Sequence, residues 1–196
     1  MGIDPLKRAV FLDRDGVLNA NVLNPKNGQY ESPHHPADFH LMPEAPGALK
    51  RLREAGYSLF LVSNQPSYAK GKTSLENIRA IAALLEQAMR DCGVAFEDYY
   101  YCLHHPESVV EGYGACECRK PSPFFLHQAE REFGVDLAAS WMVGDRETDI
   151  ECGRGAGART ILVRDASAPA VAAPQTRADY VAADIARAVE IIIARG

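Results

Sequence analysis

Five short apolar runs, each followed by a segment of helical periodicity, constrain the fold of this chain more than any other feature. Residues 9–12 (AVFL), 57–62 (YSLFLV), 98–102 (DYYYC), 141–144 (WMVG) and 160–163 (TILV) have strand length and are rich in Val, Ile, Leu and aromatics. Between and after them, helical patterns run over 44–55, 73–93, 121–133, 147–155 and 183–194. The second is the clearest: Thr73 and Glu76 have the spacing of a capping box, Ile78, Ile81, Leu84, Leu85, Ala88 and Met89 recur on one face, and Gly93 offers a stop. Strands apolar on both faces, separated by helices, predict an α/β fold: a doubly wound, mostly parallel sheet with helices on both sides. Residues 178–182 (ADYVA) add a late edge strand, and the Ala/Pro-rich stretch 165–178 reads as an exposed connection. A length of 196 residues with 47% hydrophobic content is enough for one substantial core, so residues 1–196 read as a single domain without a large cap domain.

In such a sheet, ligands bind beyond the carboxyl ends of the strands. Immediately after the first run stands Asp13-Arg14-Asp15-Gly16. Two carboxylates so close repel each other unless a cation, a proton or a reacting group sits between them. A carboxylate is a usable nucleophile toward phosphorus, because an acyl phosphate forms and is readily hydrolysed. Attack on a phosphate dianion calls for a divalent cation, and Mg²⁺ takes oxygen ligands from one or two carboxylates. A second carboxyl can protonate the leaving alcohol and then deprotonate the attacking water. Asp13 is therefore assigned as nucleophile and Asp15 as acid/base. Taken alone, D-x-D-G is also an ordinary solvated turn.

Three later segments at strand ends strengthen the functional reading. Ser63-Asn64 supplies a hydroxyl and an amide suited to phosphoryl oxygens. Lys120, in CRKPSP, supplies a cation able to meet phosphate and nucleophile together. Asp145, in MVGDRETD, adds a carboxylate that calls for a metal, and Asp149, one turn later, serves either the site or the N-terminus of a helix.

In order, D-x-D-G, Ser-Asn, Lys and G-D-x-x-x-D resemble the four motifs of the haloacid dehalogenase superfamily of phosphatases, over residues 11–149. The resemblance implies Asp13 as nucleophile and Mg²⁺ ligand, Asp15 with its backbone carbonyl on Mg²⁺, Asp145 as the remaining protein ligand, and Ser63 and Lys120 as stabilisers of the transferring phosphoryl group.

Cys102, His104, Cys116 and Cys118 form a C-x-H, eleven residues, C-x-C pattern. Four such ligands complete a closed tetrahedral Zn²⁺ site, which would pin a loop at 102–118 too poor in apolar residues to order itself. Such a zinc is structural, and its loop runs directly into Arg119-Lys120. Cys92 and Cys152 lie outside the cluster and read as packing residues, and His105 points elsewhere on an extended chain. YYYCLHH with CECRKPSP narrows the resemblance to the zinc-loop phosphatases, a group with members acting on heptose bisphosphates and on histidinol phosphate. The spacing between His104 and Cys116 is closer to the heptose branch. By that resemblance Arg119 helps recognise substrate and Arg146 lies near metal and phosphate, with Asn64 also substrate-facing. The expected activity is removal of the 7-phosphate from a heptose 1,7-bisphosphate, with a histidinol-phosphate or other small sugar-phosphate phosphatase as the alternative.

Two stretches depart from that branch. NQPSYAKG (64–71) places Pro66 and Tyr68 where a phosphate-facing loop has smaller residues, which predicts added bulk at the leaving-group pocket. The segment 20–39, ANVLNPKNGQYESPHHPADF, is longer than usual, and His34 and His35 within it read as surface residues.

A phosphoacceptor signalling module shares the sheet, the acids, Mg²⁺, Ser/Thr and Lys, but needs neither the second carboxyl of D-x-D-G nor a zinc loop. The net charge of −5 and the lack of a basic, aromatic stripe argue against nucleic acid as a partner. No run is long and apolar enough to span a membrane, and the N-terminal residues lack the plan of a secretory signal. The expectation is a cytoplasmic monomer whose partner is a small phosphorylated sugar.

Overall fold

The computed structural model describes residues 7–25, 27–164 and 176–196. Six parallel strands form the central sheet: β1 (Ala9–Leu12), β4 (Ser58–Asn64), β5 (Asp98–Cys102), β6 (Trp141–Gly144), β7 (Arg159–Val163) and β8 (Tyr180–Ala182). Their order is β5-β4-β1-β6-β7-β8. A small antiparallel hairpin, β2 (Val22–Asn24) and β3 (Gln29–Glu31), follows β1 and stands apart from the sheet. The predicted edge strand at 178–182 is β8; most of the predicted connection, 165–175, lies outside the described residues.

The alternation of side chains along each strand divides the core in two. Val10 and Leu12 of β1, Leu59 and Leu61 of β4, and Trp141 and Val143 of β6 pack against three helices. These are α1 (Ala45–Glu54), α2 (Leu75–Asp91) and α5 (Ile185–Arg195). Ala9, Phe11, Phe60, Val62 and Met142 face the other way, onto α3 (Phe124–Phe133) and α4 (Glu147–Gly155). Every residue of β1 and β6 is buried, which explains why these strands read as continuous apolar runs. Cys152 lies in the second core and Cys92 packs against the first, as their sequence context predicts.

The predicted capping box of α2 does not form. Ser74 is the N-cap, its side chain accepting from the Asn77 amide at 3.1 Å, while Thr73 Oγ1 donates to His34 O. The hydroxyl one residue further on sits where the extended backbone of a cap is needed, and Thr73 is drawn to a neighbouring segment. Gly93, with φ +70°, ends the helix as predicted. The predicted start of α3 at 121 shifts to Phe124, because Ser122 N first closes a turn on Arg119 O. Among the described residues, no helix is long and apolar enough to cross a membrane.

The chain leaves β1 toward β4 and β5, then returns across it to β6, β7 and β8. The strand order therefore reverses at β1, and a crevice opens there beyond the carboxyl ends of β1, β4 and β6.

Candidate active site and metal centre

Asp13 follows β1, Ser63 and Asn64 end β4, and Asp145 follows β6, so the switch point gathers the sequence-predicted residues from three strands. A cavity of about 390 Å³ opens over them and is lined by Asp13, Asp15, Asn64, Arg119, Lys120 and Arg146, among others. Lys120 is the buried cation at its floor. Its Nζ lies 3.0 Å from Asp13 Oδ1 and 2.6 Å from Asp149 Oδ1, and donates to Val62 O at 2.6 Å. Burial opposes the charge on Lys120, but Asp13 and Asp149 outweigh it and hold its pKa above the ordinary value. Its main chain is fixed from both sides: Lys120 N donates to Asn64 Oδ1 and Asn64 Nδ2 donates to Lys120 O, each at 3.1 Å.

Ligand oxygens of Asp13, Asp145 and Asp149 lie within 4.8 Å of one another. Three carboxylates share this space with one ammonium, Lys120, and one guanidinium, Arg146. Asp145 Oδ1 is buried without a hydrogen-bond partner among the described residues, its nearest cation being Arg146 Nε at 3.8 Å. Burial, then the carboxylates of Asp13 and Asp149, push the Asp145 carboxyl well above the usual range. An orphaned carboxylate oxygen and an excess of acidic over basic groups fit a divalent, oxygen-loving cation such as Mg²⁺.

Asp149 makes contacts in both directions left open by the sequence. Its Oδ2 accepts from the Arg146 amide at 3.0 Å at the start of α4, while Oδ1 holds Lys120. Burial raises its pKa to about 6 against the opposing pull of Lys120. Gly144 makes this placement possible, since a Cβ there would stand 2.2 Å from Asp149 Cβ and 2.3 Å from its carboxylate. Gly16 is constrained in two ways, by φ +76° and by the approach of Asp145 Oδ2 to 2.5 Å from any Cβ. Gly144→Ala is expected to destabilise the chain by about 1–3 kcal/mol through overpacking and to lower kcat by displacing Asp149 from Lys120. Paired thermal melts and turnover assays check this, and a wild-type kcat would show that the Asp149–Lys120 contact does not matter for turnover.

Asp15 is outside the carboxylate cluster, so only its main chain remains for the metal role the resemblance implies. Its side chain is held by donors that the sequence did not flag. Gln65 Nε2 donates to Oδ2 at 2.6 Å, Asn19 Nδ2 to Oδ1 at 3.0 Å, and the fully buried Arg14 to Oδ1 at 3.0 and 3.1 Å. Ser63 is buried and absent from the cavity lining; its Oγ accepts from Gln65 Nε2 at 3.0 Å, one step behind Asp15. The signal for Gln65 lay in its position directly after Ser63-Asn64, where a polar side chain in a buried strand end needs a partner.

Cys102 ends β5, level with Asn64 on β4. Its Sγ lies 3.6 Å from Cys116 Sγ and 3.3 Å from Cys118 Sγ, and the latter two are 3.5 Å apart. His104 Nδ1 is 3.9 Å from Cys102 Sγ and 3.6 Å from Cys118 Sγ. A tetrahedron built on Zn–S bonds of about 2.3 Å has S···S edges of about 3.8 Å, so the four predicted ligands are spaced to fit zinc. Burial and the two neighbouring sulfurs push the Cys118 thiol upward, a conflict that a cation among the sulfurs would relieve. His105 is turned away, accepting from the Glu107 amide at 3.1 Å.

Tyr68 does not crowd the cavity as its sequence position predicts. It packs edge-on against Tyr113 with centroids 4.9 Å apart, and Tyr113 in turn lies beside His104. With Val109 N donating to Ala69 O at 2.8 Å, the cysteine loop is docked on the loop after β4. Pro66 does line the cavity.

The family model described as HAD-hydrolase-like matches residues 117–188. A D-glycero-beta-D-manno-heptose-1,7-bisphosphate 7-phosphatase of Yersinia pestis is 34% identical over 188 residues, covering 95% of this chain and 96% of the relative. A D-glycero-alpha-D-manno-heptose-1,7-bisphosphate 7-phosphatase of Photorhabdus laumondii is 32% identical over 159 residues, covering 80% of this chain and 82% of the relative. Among solved structures, the D,D-heptose 1,7-bisphosphate phosphatase of B. bronchiseptica, complexed with magnesium and phosphate, superposes with a TM-score of 0.74 at 27% identity. That match covers 96% of this chain and 99% of the other. Identity on this scale over nearly the full length, on the same fold, means that the chain belongs to the HAD-like phosphatases.

Proposed function

We propose that the chain is a Mg²⁺-dependent phosphomonoesterase that forms an aspartyl phosphate on Asp13 and removes the 7-phosphate of D-glycero-D-manno-heptose 1,7-bisphosphate. The observation that carries the reading is the buried Asp13 carboxylate beside Lys120 at 3.0 Å, with Asp145 next to it, one of its oxygens buried without a hydrogen-bond partner among the described residues. Mg²⁺ held by Asp13 and Asp145 would neutralise the repulsion between the attacking carboxylate and the phosphoryl oxygens.

Asp13 attacks phosphorus, and its new O–P bond forms as the bond from phosphorus to the sugar oxygen breaks. Lys120 faces the developing charge, and Asn64 keeps Lys120 in register. Asp15 enters the step carrying a proton, turned from the Gln65, Asn19 and Arg14 donors that hold its carboxylate, and gives that proton to the departing sugar oxygen. It then takes a proton from the water that attacks the aspartyl phosphate, releasing inorganic phosphate and restoring Asp13. Arg119 and Arg146, at the cavity rim, are the substrate-binding cations of this reading. Zinc on Cys102, His104, Cys116 and Cys118 is structural, since the four ligands leave no open position. None of the five cysteines is in a disulfide, which suits a reducing, cytoplasmic compartment.

The substrate assignment is supported by the activities for which relatives matching most of the chain are named, and these names include both anomers. The test is phosphate release from the α and β anomers of the heptose 1,7-bisphosphate and from histidinol phosphate. One heptose anomer is expected to exceed histidinol phosphate in kcat/KM by about 10²-fold or more. Removing Mg²⁺ abolishes release and its return restores it. Release unaffected by Mg²⁺ overturns the mechanism, and a preference for histidinol phosphate overturns the substrate.

A further inference from the structure

The cavity has a second wall that the phosphoryl chemistry does not use. It comes from hairpin β2–β3 and the segment just after it, facing the loop that follows β4. Glu31, at the end of β3, is its hub. Its Oε2 accepts from Lys72 Nζ at 2.6 Å, and its Oε1 accepts from Asn27 Nδ2 at 2.8 Å and Asn24 Nδ2 at 3.2 Å. His34 Nε2 lies 3.5 Å from the same Oε2. The Lys72 bond, followed by the Asn27 bond, lowers the Glu31 pKa to about 2, so the carboxylate is ionised at neutral pH. Thr73 Oγ1, donating to His34 O at 2.5 Å, ties the same two segments together a second time.

The Glu31–Lys72 pair stands between the reactive cavity and a neighbouring one of about 490 Å³, and Glu31, Ser32, His34 and Lys72 line both. Pairing cancels the Lys72 charge on this wall, and burial holds His34 below its ordinary pKa, hence neutral near pH 7. What the wall then offers is hydroxyl, amide and imidazole groups from Ser32, Ser67, Gln29 and His34. Such a set pairs with the hydroxyls of a polyol and gives a second anion little to bind. Lys70 and Arg119, which have no carboxylate partner among the described residues, offer the cavity's remaining positive charge away from the reacting carboxylates.

We propose that the Glu31–Lys72 pair determines specificity: it closes the hairpin onto the loop after β4 and sets a neutral wall that selects a polyhydroxylated leaving group. The inference rests on the phosphatase reading and deepens it. The experiment compares kcat/KM for heptose 1,7-bisphosphate with that for p-nitrophenyl phosphate, whose leaving group carries no such hydroxyls. It uses the wild-type chain, Glu31→Gln, Lys72→Met and the double variant.

The ratio of the two values is expected to fall about tenfold in either single variant, chiefly through KM for the sugar, and no further in the double, because the pair acts as a unit. A ratio within about twofold of wild type in a single variant with an unshifted thermal melt, or losses that multiply in the double, overturns the inference. Lys72 is half exposed, so Lys72→Met carries the test should Glu31→Gln melt early. Hydrolysis of neither compound by the wild-type chain overturns the phosphatase reading itself, a result distinct from an unchanged ratio.

Discussion

Asp13→Asn is expected to lower phosphate release by roughly 10⁴-fold or more while the chain stays folded. The amide is nearly isosteric with the carboxylate but has no anionic oxygen to offer phosphorus, so the covalent step is lost rather than slowed. Its structural effect is small for a reason visible in the site. Asp13 is one of three crowded carboxylates, and its charge is among the causes that push Asp145 upward. Neutralising it relieves that repulsion, while Lys120 keeps Asp149 at 2.6 Å and Val62 O at 2.6 Å. The melting temperature should therefore stay level or rise. Acid-quenched wild-type enzyme incubated with substrate should carry phosphate on the protein, and the variant should not. Near wild-type turnover in Asp13→Asn would falsify the assigned nucleophile. Labelled protein in the variant would move the covalent step to another residue.

The parts of this molecule that were legible in the sequence are those where one physical demand dominates. Central parallel strands are buried on both faces, so β1 and β6 had to be apolar throughout, and Gly93 and Gly134 mark helix ends because their positive φ suits no other residue as well. Asp13, Asp145 and Lys120 were legible only in combination, as acids and a cation that each follow an apolar strand or precede a helix in the order of four motifs. The cage around Asp15 was hidden, since Gln65, Asn19 and Arg14 act through contacts that join residues up to 50 positions apart. Hairpin β2–β3 was not legible, because its three-residue strands are too short for an alternation pattern to stand out. Tyr68 was misplaced because its loop position says nothing about which way the ring turns, and that was decided by Tyr113, 45 residues later and edge-on at 4.9 Å. Ser63 was assigned to phosphoryl oxygens by its motif, which gave no sign that its hydroxyl also accepts from Gln65.

Cys116→Ser is expected to reduce zinc from about one per chain to near none and to lower thermal stability by several kcal/mol, given the folding free energy that structural zinc contributes. Cys116 is the informative choice because it is exposed, so its replacement leaves no hole in the core, unlike Cys102 at the end of β5. The cross-link lost with the metal has no substitute. Sulfur contacts of 3.3–3.6 Å are not disulfides, and the loop 102–118 contributes few apolar side chains to either core. The loss should stop short of global unfolding, since Val109 N to Ala69 O and the Tyr68–Tyr113 contact still hold part of the loop. Its effect on catalysis should be uneven. Among the described residues Arg119 Nη1 is anchored on His104 O alone, at 3.2 Å, so it is freed when the loop loosens, whereas Lys120 remains clamped by Asn64 on both sides of its peptide unit. KM should therefore rise more than kcat falls. Metal analysis, thermal melts with and without added zinc, and steady-state kinetics read these separately. A variant that retains both its zinc and its melting temperature removes the metal from this loop. A variant that loses zinc with KM unmoved breaks the link from the metal through Arg119 to the substrate.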